Sequence, residues 1–141
     1  MKKAGAIILG FLLALLAGCG HRNQMPPEQE AYLKREAAQP VTCKQGKDCQ
    51  EKWNRAVIWV THNSEYKIKT VTPDLIETHD VVYAQIKPSY KVPEFTVVRY
   101  ETGDGIYQFD FSSACDEEYG CGSPGFVYRA YFYEFVMGIV H

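Results

Sequence analysis

Three patterns of apolar and polar positions follow one another along the chain. From Ala4 to Ala17 the residues are apolar with little interruption, whereas the stretch from Gly20 to Thr42 is polar. From Cys43 onward, apolar residues recur with the periods of regular secondary structure. Trp53, Ala56, Val57 and Val60 stand at i, i+3, i+4 and i+7 and predict an amphipathic helix. Asp48 and Glu51 would open it with a capping-box spacing, and Asn63 or Ser64 would end it. Residues 66–71 alternate apolar side chains with Lys67 and Lys69, as an antiparallel strand does. Leu75 to Thr78 fits either a strand or one helical turn. Residues 81–86 and 95–101 are predicted strands by their β-branched and aromatic content. Thr102-Gly103-Asp104-Gly105 then predicts a hairpin turn into a strand over 106–111. Ser123-Pro124 marks the N-cap and first residue of a final helix. Tyr128, Tyr131, Phe132, Phe135 and Ile139 share one face of it and are expected to cover the sheet.

Helix, strands, helix in that order predicts the α+β class: a small antiparallel sheet of three to four strands with an N-terminal and a C-terminal helix packed on one face. The final helix is apolar enough to raise a membrane span. Arg129 and Glu134 lie within it, however, and about 17 residues is the minimum for crossing. The organisation expected is a leader over residues 1–18, a tether over 19–42 and a single domain over 43–141. Within the tether, Glu30 and Lys34 are spaced for an i,i+4 pair, but Tyr32 and Leu33 are the only large apolar side chains between Glu28 and Ala38. A partly helical tether with a root-mean-square reach of about 25 Å follows.

The leader carries the most specific motif. Lys2 and Lys3 precede an apolar stretch too short for a transmembrane helix and well matched to a secretory signal. It ends in Leu16-Ala17-Gly18-Cys19, which resembles position by position the lipobox of bacterial lipoproteins. Small residues there let an extended backbone enter a protease cleft, and the Cys19 sulfur would carry a diacylglyceryl group. The resemblance implies two or three acyl chains on Cys19, palmitate among them, enough for stable anchoring where one chain is marginal. Gly20 stands where an Asp would retain an enterobacterial lipoprotein in the inner membrane, so the expected location is the outer membrane of a Gram-negative bacterium, facing the periplasm.

With Cys19 acylated, Cys43, Cys49, Cys115 and Cys121 remain, and four cysteines permit three connectivities. Both pairs are spaced C-x5-C, so local pairing in an oxidising compartment is the simplest arrangement. Cross-pairing between the two ends of the domain and a four-cysteine zinc site are the alternatives, although the usual C-x2–4-C knuckle is missing. The run Cys49-Gln50-Glu51-Lys52-Trp53-Asn54-Arg55-Ala56 continues through Trp59-Val60, Asn63-Ser64 and Leu75-Ile76-Glu77-Thr78. It resembles small uncharacterised exported proteins of proteobacteria with a second Cys pair. That resemblance would span Cys43 to about Phe135 and implies a real domain without implying an activity.

Composition adds mainly exclusions. The whole-chain charge of −2 becomes −4 once Lys2 and Lys3 are removed with the leader. An acidic surface without basic runs argues against nucleic acid. Glu77, His79 and Asp80 imitate a metal set, but solvated side chains on an edge strand explain them far better. No H-E-x-x-H, G-x-S-x-G or C-x-x-C occurs, so neither catalysis, nor a cofactor, nor a metal is expected. Asp116, Glu117 and Glu118 in the second C-x5-C loop, with Phe126 and Tyr133 off the expected core face, are the candidates for a partner contact. The function expected is a non-catalytic envelope lipoprotein binding an unknown envelope protein. The alternative is an inhibitor or exclusion factor directed at a lytic enzyme or an incoming element.

Overall fold

The apolar periods resolve into eight elements in a computed structural model that describes residues 25–79, 93–115 and 121–139. They are α1 (Pro27–Ala37), β1 (Val41–Lys44), α2 (Lys47–Asn63), β2 (Ile68–Val71), β3 (Leu75–Thr78), β4 (Glu94–Gly103), β5 (Ile106–Ala114) and α3 (Gly125–Met137). Cys19, the predicted strand over 81–86, and Asp116, Glu117 and Glu118 lie outside the described residues. The strands form one antiparallel sheet in the order β1-β5-β4-β3-β2. The α+β class therefore holds, with five described strands where three to four were expected. The additional one is β1, four residues paired with β5 from Val41 opposite Phe109 to Lys44 opposite Ile106.

β4 and β5 are the sheet's longest strands, and their alternation sets its two faces. Phe95 and Val97 on β4, with Phe109 and Phe111 on β5, are buried, and Val97 sits opposite Phe111. The intervening Thr96, Val98, Gln108, Asp110 and Ser112 point to the other face, as a two-residue period requires. The turn between the strands has three successive residues at positive φ, Gly103, Asp104 and Gly105. Two glycines make that conformation accessible. Onto the buried face α2 brings Trp53, Ala56, Trp59 and Val60, and α3 brings Phe132 and Val136. Trp59 lies 5.3–5.4 Å from Phe95, Phe111 and Phe132, and Phe132 stacks on Phe111 at 4.6 Å. The buried Thr78 hydroxyl is satisfied by the backbone of Phe95, accepting from its N–H at 3.0 Å.

Cys43 is joined to Cys49 and Cys115 to Cys121, with Cα separations of 4.9 and 5.4 Å, so local pairing holds. The first bridge fastens β1 to the opening turn of α2. The capping box expected there does not form. Gly46 at φ 102° takes the N-cap position without a side-chain bond. Asp48 instead accepts the Lys44 backbone N–H at 2.8 Å. Lys52 reaches back to the Thr42 carbonyl at 2.8 Å and to the Asp48 carboxylate. The Lys44 N–H, opposed by partial desolvation and helped by Lys52, holds the Asp48 carboxyl below its ordinary value of 3.8.

Two boundaries differ from expectation. Ala31 to His141 form one compact unit, so the folded part begins well before Cys43. Leu33 and Ala37 are buried, and the Tyr32 hydroxyl donates to Glu134 Oε1 at 2.7 Å. Leu33 and Ala37, with the Tyr32 hydroxyl, seat a helix that is otherwise polar. At the other end, Pro124 is the N-cap of α3 and Gly125 its first residue, one position later than predicted. Its C-terminus is closed by Gly138 at φ 74°, and Arg55 donates to the Val136 carbonyl at 3.1 Å. A cation there meets the negative end of the helix.

Candidate interaction surface

Helix α3 is apolar on nearly every side, so periodicity alone cannot select the face that it buries. The neighbours select it. Tyr128, Phe132 and Val136 are spaced i, i+4, i+8 and join the core. Val127, Ala130 and Glu134, spaced i, i+3, i+7, occupy a second buried flank, where Glu134 receives the Tyr32 hydroxyl. Between the two flanks Tyr131, Phe135 and Ile139 remain exposed at 45%, 45% and 37%. This corrects the sequence expectation, which placed those three residues on the sheet.

Helix α2 completes the surface. Arg55 meets Val136 near the end of α3, and Trp59 meets Phe132 one turn earlier, so the two helices run in opposite senses. Ile58, one residue before Trp59, is 47% exposed and faces away from the core. Ile58 and His62 on α2, and Tyr131 and Phe135 on α3 with Ile139 just beyond its cap, form the two walls of an open groove of about 560 Å³. Trp59 and Asn63 line it as well, and Asn63 is tied down by donating from its amide to the Trp59 carbonyl at 2.8 Å. The remaining lining residue, Glu134, is 8% exposed and already engaged by Tyr32.

The walls of this surface are aliphatic and aromatic, its polar groups are few, with Asn63 and Glu134 already bonded, and neither Lys nor Arg is among its described lining residues. Concave apolar surface with a small number of placed polar groups is the common form of a binding site. The opposite face of the sheet also exposes Val98 and Tyr100, but those two are set among Thr96, Gln108 and Asp110.

The residues singled out from the sequence are scattered. Phe126 is half-buried under α1, with Lys34 Nζ 5.4 Å from its ring. Tyr133 is partly buried and packs against the core. Neither belongs to the groove. Glu77 pairs with Lys69 at 3.3 Å, and Asp80 lies outside the described residues. Among the described residues no three or more His, Cys, Asp or Glu side chains gather as metal ligands would. No described helix is long and apolar enough to cross a membrane. The groove itself was hidden in the sequence because its α3 wall has the same residue types and spacing as a core face. A second, smaller cleft of about 480 Å³ lies where Ala37 and Ala38 approach Phe111, Ser112 and Ser113 near the start of α3. The chain matches no known family model, and no curated protein matches it.

Proposed function

We propose that this chain is a non-catalytic envelope lipoprotein, anchored through acylated Cys19 to the outer membrane, whose domain is a binding module for another envelope protein. The anchor rests on Leu16-Ala17-Gly18-Cys19 behind a positively charged, apolar leader. The binding role rests on one observation, the α2–α3 groove, where Ile58, Tyr131, Phe135 and Ile139 stand exposed side by side. Placing four large apolar side chains in water forgoes burial worth about 25 cal/mol per Å². A contiguous patch of this sort on a small monomer commonly marks a contact surface.

The test is made in living cells with the full chain, carrying a photo-reactive phenylalanine analogue at Phe135 or, as the control, at Val98. Both side chains are exposed, so neither replacement disturbs the core. A covalent adduct with one envelope protein from position 135, and none from position 98, is the expected result. Equal labelling from both faces, or none from position 135, contradicts a dedicated surface.

A further inference from the structure

We infer that the groove receives a single amphipathic helix of the partner, laid between α2 and α3, and not a second copy of this chain or a lipid surface. This deepens the binding-module reading and rests on it. Three features of the groove lead to a helix.

The first is shape. In a two-fold dimer the same patch faces itself. Two concave grooves set face to face would enclose a void, so a concave site needs a convex occupant. Size points the same way. At about 200 Å² for each large side chain, the exposed fractions of Ile58, Tyr131, Phe135 and Ile139 offer roughly 350 Å². A standard protein–protein interface takes about 800 Å² from each partner.

The second feature is volume. A helix about 10 Å across rises 1.5 Å per residue, so half-sinking about 14 Å of it fills the 560 Å³ of the groove. That length is between two and three turns. Along the groove Tyr131 and Phe135 stand one turn apart on α3, and Ile139 follows just past the Gly138 cap. An occupant helix with apolar side chains at i, i+3 or i+4, and i+7 matches such a wall, which is the usual geometry of a helix in a groove.

The third is charge. The lining residues include one acid and neither Lys nor Arg, and the mature chain is acidic. An anionic bilayer surface would gain nothing here, because such binding depends on basic residues near the headgroups.

The experiment places the photo-reactive analogue at Tyr131, Phe135 and Ile139 in turn, in the full chain in cells, and maps the residue captured on the partner each time. Captured residues three or four apart in one partner segment are expected. A synthetic peptide of that segment should gain helical circular dichroism on mixing with the protein. Its affinity should fall at least tenfold with Phe135→Asp and stay unchanged with Val98→Lys, which sets a cation opposite Asp110 on the other face of the sheet, both variants staying folded at the temperature of the assay. Captured residues two apart, an adduct with a second copy, or capture of phospholipid each overturn the helix. Of these, spacing by two leaves the binding-module reading intact. Silence at all three positions overturns both.

Discussion

At the scale of single residues, the same helix holds side chains of opposite consequence a few positions apart. Phe132 is fully buried, stacked on Phe111 and set edge-on to Trp59. Its truncation leaves a cavity, and Phe132→Ala should cost about 3–5 kcal/mol. Phe135→Ala removes an exposed ring and should stay within about 1 kcal/mol of the wild type. Thermal melts of the two variants check this, and equal losses would mean that α3 is turned the other way. Asp48 gives a second residue-scale test. Its folded-state pKa lies below the ordinary 3.8, so its contribution is complete above that value and is lost as pH falls through the lower, folded-state value. Asp48→Asn should therefore destabilise the domain at pH 6 by at most about 1 kcal/mol, because the carboxylate is partly exposed and screened. Denaturant melts of both proteins should converge as acid protonates the Asp48 carboxyl; an offset that stays constant as the pH falls would deny the carboxylate its role.

Residue identity was legible in the sequence wherever one explanation was available. Of the predicted stripe, Trp53, Ala56 and Val60 are buried, and Val57 is half-buried against the core. The α3 aromatics were less legible. Val127, Ala130 and even Glu134 are buried while Tyr131 and Phe135 are not. What decides is the position of α2, together with Tyr32 donating to Glu134, and neither is a property of the α3 sequence.

At the scale of elements, α1 is the least expected. Its charged residues suggest a solvated spacer, yet Leu33 is buried, which at full burial is worth roughly 2–3 kcal/mol. Hydrogen bonding to Glu134, more than desolvation or the nearby carboxylate charge, pushes the Tyr32 hydroxyl up to about 12 from its ordinary 10.0. The folded state thus favours the protonated phenol. This contribution is complete below about pH 10 and is lost as pH rises through 12. Tyr32→Phe should raise amide exchange within α1 roughly tenfold and leave α2, β4 and β5 protected. Exchange followed by mass spectrometry reads this directly; if protection falls in every element together, α1 opens only with the whole domain.

β1 was missed for a related reason. Val41-Thr42-Cys43-Lys44 is four residues between a proline and a turn, too short for a period-two pattern to stand out. It becomes a strand because β5 offers an edge and the Cys43–Cys49 bridge fastens its end to α2. The longer runs that became β4 and β5 were legible, since β-branched and aromatic residues bounded by turn chemistry allow few other structures, whereas Leu75–Thr78, as short as β1, fits a strand or a helical turn equally from its sequence.

At the scale of the whole molecule, a small domain with an open apolar groove between α2 and α3 follows a leader and lipobox that we propose give it a lipid anchor. The proposed anchor rests on the most specific motif in the sequence, because the lipobox spacing is a chemical requirement of the processing enzymes and depends on no tertiary context. The groove was the least legible, because it exists only when two helices distant in sequence are brought side by side. The domain's position in the cell gives the groove its meaning, so anchoring is the claim on which the account depends. The decisive measurement is the intact mass and N-terminal fragmentation of the protein extracted from membranes of cells expressing the full chain. The account predicts a mature chain beginning at Cys19 and carrying diacylglyceryl and further acyl mass, with the precursor accumulating uncleaved when Cys19 is replaced by Ser. A mature protein that begins elsewhere, or that carries an unmodified Cys19, would contradict it.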